Sequence, residues 1–314
     1  MRRVLVAVVL LAIAAFVYWR PMTIVGTATD VYLYAIGMRG KSVQVGGHRI
    51  HYYEGGEGPP LLMVHGVASS AADAALLYRG LMRRHRVLAP DLLGYGHSDK
   101  PENATYTVRM QSEMVRGFMD AVRVRNADVL GISMGGWVAL KLAAEQPERV
   151  CRLVLVSSAG LQFETTLNER SFSARNLDEL RASLRLQTDN ADRIPTFVLR
   201  DILRRSQKHS WITIRSMRSM LTTRDDLLDG RLQRVTMPVL LVWGTRDRIV
   251  PFTVAKMMQR ELPHARLVAL EGCGHLAIVE CRAQAVPAID AFLSSSQRAS
   301  FAPAHTTGGL SSAP

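Results

Sequence analysis

Residues 128–136 read Asp128-Val129-Leu130-Gly131-Ile132-Ser133-Met134-Gly135-Gly136. The run Asp128–Ile132 is almost wholly apolar, as a strand buried on both faces requires. Gly135–Gln146 reads as a helix that stops before Pro147. A serine therefore stands in the turn from strand to helix, between glycines where a β-carbon would strain the backbone. Such a turn lifts the Ser133 hydroxyl clear of the sheet. A hydroxyl is a weak nucleophile, so it needs a base, and the base needs an orienting acid.

Working outward, the same punctuation recurs. Ser42–Val45 and Arg49–Glu54 read as a hairpin about Gly46-Gly47. Pro60–His65, Val87–Pro90, Leu153–Val156, Val239–Trp243 and Arg266–Leu270 read as further strands. Helices are predicted at Ala72–Arg84, from Thr107 to about Val124, at Phe252–Leu262 and at Ala283–Leu293. This alternation predicts an α/β fold, with a mostly parallel central sheet and helices on both faces. Residues 160–235 break the pattern with helical fragments only, and read as a helical cap or lid inserted between two strands.

Two loops then supply base and acid. Val239–Trp243 runs into Gly244-Thr245-Arg246-Asp247, and Arg266–Leu270 runs into Glu271-Gly272-Cys273-Gly274-His275. Both residues follow strands, where sites form in open sheets of this kind. Ser133, Asp247 and His275 are thus the expected catalytic residues. The backbone N–H groups of Met134 and Val67 are the expected oxyanion donors. His65, Asp91, Ser98 and Asp99 are read as loop-bonding groups, and Asp225-Asp226 as a weaker alternative for the acid.

Taken together, His65-Gly66, Asp91-x-x-Gly94-x-Gly96-x-Ser98, the Gly131-to-Gly136 turn, Pro238-to-Asp247 and Gly274-His275 resemble the α/β-hydrolase family of serine esterases and lipases. The apolar N-terminus, the Ser-Met-Gly-Gly turn and Ser158-Ala-Gly-Leu161 make the chain most similar to membrane-anchored monoacylglycerol lipases and related bacterial lipases. The resemblance implies hydrolysis of carboxylic esters, acylglycerols or other lipid-like esters, without metal or organic cofactor. One departure is Glu280-Cys281-Arg282, where many relatives carry Glu-x-Pro. The alternatives are a carbon–carbon bond hydrolase using the same three residues, or a non-catalytic binding protein. Dienoate hydrolases usually carry a Gly-Pro-Gly-rich loop that Val67-Ala68-Ser69-Ser70 lacks.

The chain has 314 residues, 48% hydrophobic and 21% charged, which excludes a largely disordered or multi-span membrane protein. Its net charge of +12 suits anionic surfaces. Arg200, Arg204, Arg205, Lys208, Arg215 and Arg218, interleaved with apolar residues, read either as a solvated helical cap or as a surface lying on anionic lipid. No recognition module accompanies the charge, so nucleic acid is not an expected partner. No spacing of His, Asp, Glu or Cys fits a metal site. Three cysteines at irregular spacing read as thiols rather than a disulfide framework, though Cys273 and Cys281 are close enough to pair after export.

Residues 1–22 read as a membrane anchor or signal segment. Val4–Trp19 is an apolar run behind Arg2 and Arg3, and its helix would rise about 24 Å. The positive-inside rule holds the two arginines in the cytoplasm and places the catalytic domain on the extracytoplasmic side. The rival is a cleaved signal and a secreted or periplasmic product. Residues 23–41 read as a linker, 42–293 as the α/β-hydrolase domain and 294–314 as a disordered tail. The intact mass of the purified protein separates the two readings of the N-terminus: an anchor retains residues 1–22, and loss of about twenty residues refutes it.

Overall fold

The computed structural model describes residues 15–262 and 264–295. Most of the expected anchor and the tail from residue 296 lie outside them. The strands are β1 (Arg39–Val45), β2 (His48–Gly55), β3 (Pro60–Val64), β4 (Arg86–Pro90), β5 (Ala127–Ile132), β6 (Val150–Val156), β7 (Val239–Gly244) and β8 (Ala265–Leu270). They form one sheet in the order β1-β2-β4-β3-β5-β6-β7-β8. β2 pairs antiparallel with β1 and β4; every other pairing is parallel.

The helices are α1 (Pro21–Ala35), α2 (Ala75–Leu81), α3 (Val108–Ala121), α4 (Met134–Glu145), α5 (Leu177–Gln187), α6 (Thr196–Gln207), α7 (Ser210–Thr222), α8 (Phe252–Glu261), α9 (Ala277–Glu280) and α10 (Arg282–Ser294). Side chains alternate across a strand, so each strand feeds two cores. Leu62, Val64, Val129, Leu153, Leu155 and Leu241 join the layer of α3, α4 and α8. Leu61, Met63, Leu130, Val154, Leu240 and Val242 join the layer of α1, α2 and α10. Apart from Lys141, α4 is apolar all round, and it is buried from Met134 to Ala144, as a helix at the centre of such a layer must be. α3 starts where Thr107 Oγ1 accepts the Met110 N–H at 3.0 Å.

The expected linker, residues 23–41, is a correction. Residues 21–35 form α1, and β1 begins at Arg39 rather than Ser42. Thr, Val, Ile and Gly26 give α1 a weak intrinsic preference for helix, so local sequence hides it. Tertiary contacts supply the rest: Leu33 is buried, the Tyr53 hydroxyl donates to Asp30, and the Met22 N–H donates to Asp201 Oδ2 at 2.9 Å. Residues 15–19 are also helical, and Tyr18 stacks on Phe197 of α6. Among the described residues, no helix is long and apolar enough to cross a membrane.

Between β6 and β7 the chain builds α5, α6 and α7. Four of the basic residues there have partners within the chain. Arg204 and Arg205 donate to the carbonyls of Trp19 and Met22, Arg215 to those of Glu102 and Ala104, and Arg218 pairs with Glu169. Deeper in the molecule, Arg152 of β6 makes two bonds to Asp128 of β5, at 3.0 and 2.6 Å. Its remaining nitrogen donates to the carbonyls of Phe292 and Ser295 at the end of α10.

After β4, Asp91 organises a polar loop. Its carboxylate accepts the Ala71 and His97 N–H groups, both at 2.8 Å, and meets His51 Nδ1 at 2.9 Å. Burial alone would raise this carboxyl, but the His51 bond and the two amides outweigh burial and hold it below its usual range. A depressed folded value stabilises the fold above the unfolded value and is lost as pH falls through the folded one. Asp91→Asn is therefore expected to cost about 2 kcal/mol at neutral pH in urea titrations, a gap that narrows below about pH 4.

Candidate active site

Ser133 lies between β5 and α4 at φ 54°, ψ −119°. A non-glycine residue pays for this left-handed backbone, and the surroundings must enforce it. The Ser133 N–H donates to Val156 O at 2.9 Å, and the Ser133 carbonyl accepts the Trp137 N–H at 3.2 Å. Both flanking glycines are required by close approach. A Cβ at Gly131 would overlap the Gly135 carbonyl, and one at Gly135 would overlap the carbonyls of Val64 and His65. The start of α4 thus lies directly on the end of β3.

The structure brings Ser133, Asp247 and His275 together from three strand ends. Asp247 Oδ1 accepts the Ile249 and Val250 N–H groups at 2.9 and 3.0 Å, which fixes the carboxylate. His275 Nδ1 lies 2.9 and 3.0 Å from the two Asp247 oxygens. With the carboxylate accepting, Nδ1 carries the proton, and Nε2 is left to accept from Ser133 Oγ at 3.0 Å. Both Asp247 and His275 are buried.

Val67 and Met134, the residues whose amides were expected to bind an oxyanion, line one cavity with Ser133. His65 fixes the loop before Val67. Its Nδ1–H donates to Gly66 O at 2.8 Å, and its Nε2 accepts the Leu92 N–H at 3.0 Å. Only a neutral ring can do both, and burial accordingly pushes the imidazole below its usual pKa.

The cavity has a volume of about 230 Å³. Trp137, Leu161, Phe163, Phe172, Met217 and Met220 give it an apolar wall, and Arg224 is the charged residue on it. Residues between β6 and β7 supply most of that wall. Asp226, the alternative acid, is committed elsewhere. It accepts the Arg109 N–H at 3.1 Å and pairs with buried Lys141 at 3.3 Å, while its carbonyl accepts the Trp137 indole N–H at 2.7 Å. Asp226 thereby pins one cavity wall to α4. Sequence reasoning missed this role, although a lysine inside the apolar α4 signals a buried acid.

Cys273 and Cys281, which the sequence left either as thiols or as a pair formed after export, are joined by a disulfide. Among the described residues no cluster of His, Cys, Asp and Glu could hold a metal ion.

A model of the alpha/beta hydrolase family matches residues 61–288. The crystal structure of a membrane phospholipase A superposes with a TM-score of 0.79 at 32% identity, over 93% of this chain and 98% of that one. The 2-hydroxymuconate semialdehyde hydrolase of Pseudomonas putida is 30% identical, over 77% of this chain and 89% of its own. The pimeloyl-[acyl-carrier protein] methyl ester esterase of Nitrosomonas europaea is 32% identical, over 77% and 98%.

The contact between α4 and β3 can be tested without substrate. Gly135→Ala is expected to lose about 3 kcal/mol of stability in chemical denaturation. Gly80→Ala is the control, because nothing lies within 4 Å of a Cβ there. It should leave stability unchanged or raise it by about 0.5 kcal/mol.

Proposed function

Because the chain belongs to the alpha/beta hydrolase family, we propose that it is a serine hydrolase of lipid-like carboxylic esters, of the monoacylglycerol lipase type. One observation carries the reading: His275 bridges Asp247 and Ser133 Oγ at hydrogen-bonding distance on both nitrogens. That arrangement suits two-step acyl transfer. His275 Nε2 takes the Ser133 proton as Oγ attacks the ester carbonyl. Asp247 keeps the proton on Nδ1 and stabilises the imidazolium. The amides of Met134 and Val67 hold the oxyanion, each contributing about 3 kcal/mol to the transition state. The alcohol leaves with the proton from His275, and water repeats the sequence on the acyl-enzyme.

The apolar cavity beside Ser133 supports an acyl chain as the group bound there. The segment 160–235, which forms most of its wall, acts as a lid. Similarity to a membrane phospholipase A and to a methyl ester esterase supports ester chemistry. No metal or cofactor enters this mechanism.

We place the catalytic domain outside the cytoplasm, held at the membrane by residues 1–22, or released there if that segment is cleaved. A disulfide beside the site suits an oxidising compartment. The exposed Phe16, Tyr18 and Trp19 suit a membrane interface.

The similarity to 2-hydroxymuconate semialdehyde hydrolase favours a second reading, carbon–carbon hydrolysis with the same three residues. A panel of p-nitrophenyl esters graded by chain length, run beside 2-hydroxymuconate semialdehyde, separates the two. Ester turnover is expected, falling roughly 10⁵-fold in Ser133→Ala and roughly 10⁴-fold in Asp247→Asn. Met217→Trp, which fills the cavity, should move the preference to shorter chains. Turnover of the semialdehyde alone sinks the ester reading, and absence of both turnover and fluorophosphonate labelling leaves a binding protein.

A further inference from the structure

The loop carrying His275 is closed twice. The Cys273–Cys281 disulfide joins its ends, with Cα atoms 6.4 Å apart and the two cysteines separated by 8 in sequence. Inside that ring, Glu280 Oε2 accepts the N–H of Gly274, the residue before His275, at 2.7 Å. The other Glu280 oxygen is buried without a hydrogen-bond partner among the described residues, so the Gly274 amide is what engages this carboxylate.

Glu280 ends α9, which has only four residues. A helix that short does not hold its own shape. Cys281 follows it directly, so the disulfide fixes the end of α9 to Cys273 and keeps Glu280 over Gly274. From outside the ring, the Arg246 N–H, beside Asp247, donates to Cys273 O at 2.9 Å, and the Leu276 N–H donates to Gln187 O of α5 at 3.3 Å. Those two weaker restraints remain when the ring opens. The covalent one and the carboxylate act on the backbone immediately before the imidazole.

We propose that the Cys273–Cys281 disulfide and Glu280 position His275 for proton transfer, making turnover depend on the oxidation state of this pair. The inference rests on the reading of Ser133, His275 and Asp247 as the catalytic residues. Small displacements of a proton-transfer group are costly: a misplacement of about 1 Å can cost roughly a hundredfold in rate. Neither cysteine touches the reacting atoms, so both, like Glu280, are positioning residues.

The reductant is a dithiol. Cys281 is half-buried and Cys273 buried, so a dithiol thiolate attacks Cys281 Sγ and displaces Cys273 as a thiolate, which takes a proton. The second thiol then displaces Cys281, which is protonated in turn. Two electrons and two protons pass to the protein, and the dithiol becomes a cyclic disulfide.

The test uses the full chain, treated with dithiothreitol, desalted and assayed on p-nitrophenyl butyrate. Thiol titration of the denatured protein should rise from one to three. The expected result is a fall of roughly tenfold in kcat, KM within about twofold, and recovery on reoxidation by oxidised glutathione. The double variant Cys273→Ser, Cys281→Ser should start at the lowered kcat and ignore dithiothreitol. Glu280→Ala should lower kcat, and Glu280→Gln, whose amide oxygen still accepts the Gly274 N–H, should restore it. An unchanged kcat at three thiols overturns the proposal. So does a fall of kcat matched by lost cooperativity in the far-UV melt, since that marks a scaffold and not a positioning role. If the oxidised protein neither turns over esters nor takes a fluorophosphonate, the ester-hydrolase reading has failed, and this inference with it.

Discussion

The site depends on one backbone contact, the seating of the first turn of α4 against the carbonyls that end β3. Because Gly135 has no side chain, that turn can approach Val64 and His65 directly. The approach forces Ser133 into its left-handed conformation and aims its hydroxyl out of the sheet. It also places Met134 and Val67, which come from different strand ends, on the same cavity. The hydrophobic layers on both faces of the sheet supply the free energy that keeps so unfavourable a backbone in place.

Around this contact, the buried polar groups that shape the site have partners fixed by the backbone or by each other. Asp247 is oriented by two amides before it meets His275, and His65 is held neutral by one donor and one acceptor. Lys141 and Asp226 are each almost inaccessible and pair behind the cavity wall, with Glu145 and Arg109 completing the charge cluster. Such pairs contribute little net stability, because desolvation offsets their attraction. Their value lies in geometry: each has one arrangement that satisfies it, and that arrangement sets a loop.

What could be read from the sequence was local or periodic. All eight strands lay within a few residues of their observed ends, because buried parallel strands are short apolar runs bounded by turn residues. Thr107 was legible as a cap and the Gly131-to-Gly136 turn as a strand–turn–helix, since both are contiguous signals. The order of Ser133, Asp247 and His275 along the chain pointed to the trio that the fold unites. Helix α1 was not legible, because its stability comes from Asp201, Tyr53 and the core around Leu33, all remote in sequence. The partners of Glu280 and Asp226 were hidden likewise. A carboxylate announces that it needs a donor, and only the fold says which.

The bond from Arg152 to the last turn of α10 bears on how the chain acquires this structure. Arg152 belongs to the middle of the sheet, yet two of its acceptors are carbonyls near residue 295. A polypeptide still leaving the ribosome can lay down β3, β5 and β6, but its central guanidinium stays short of acceptors until the final helix emerges. A chain cut before α10 would leave the buried Arg152–Asp128 pair without two of its acceptors and open to water, instead of merely a ragged end.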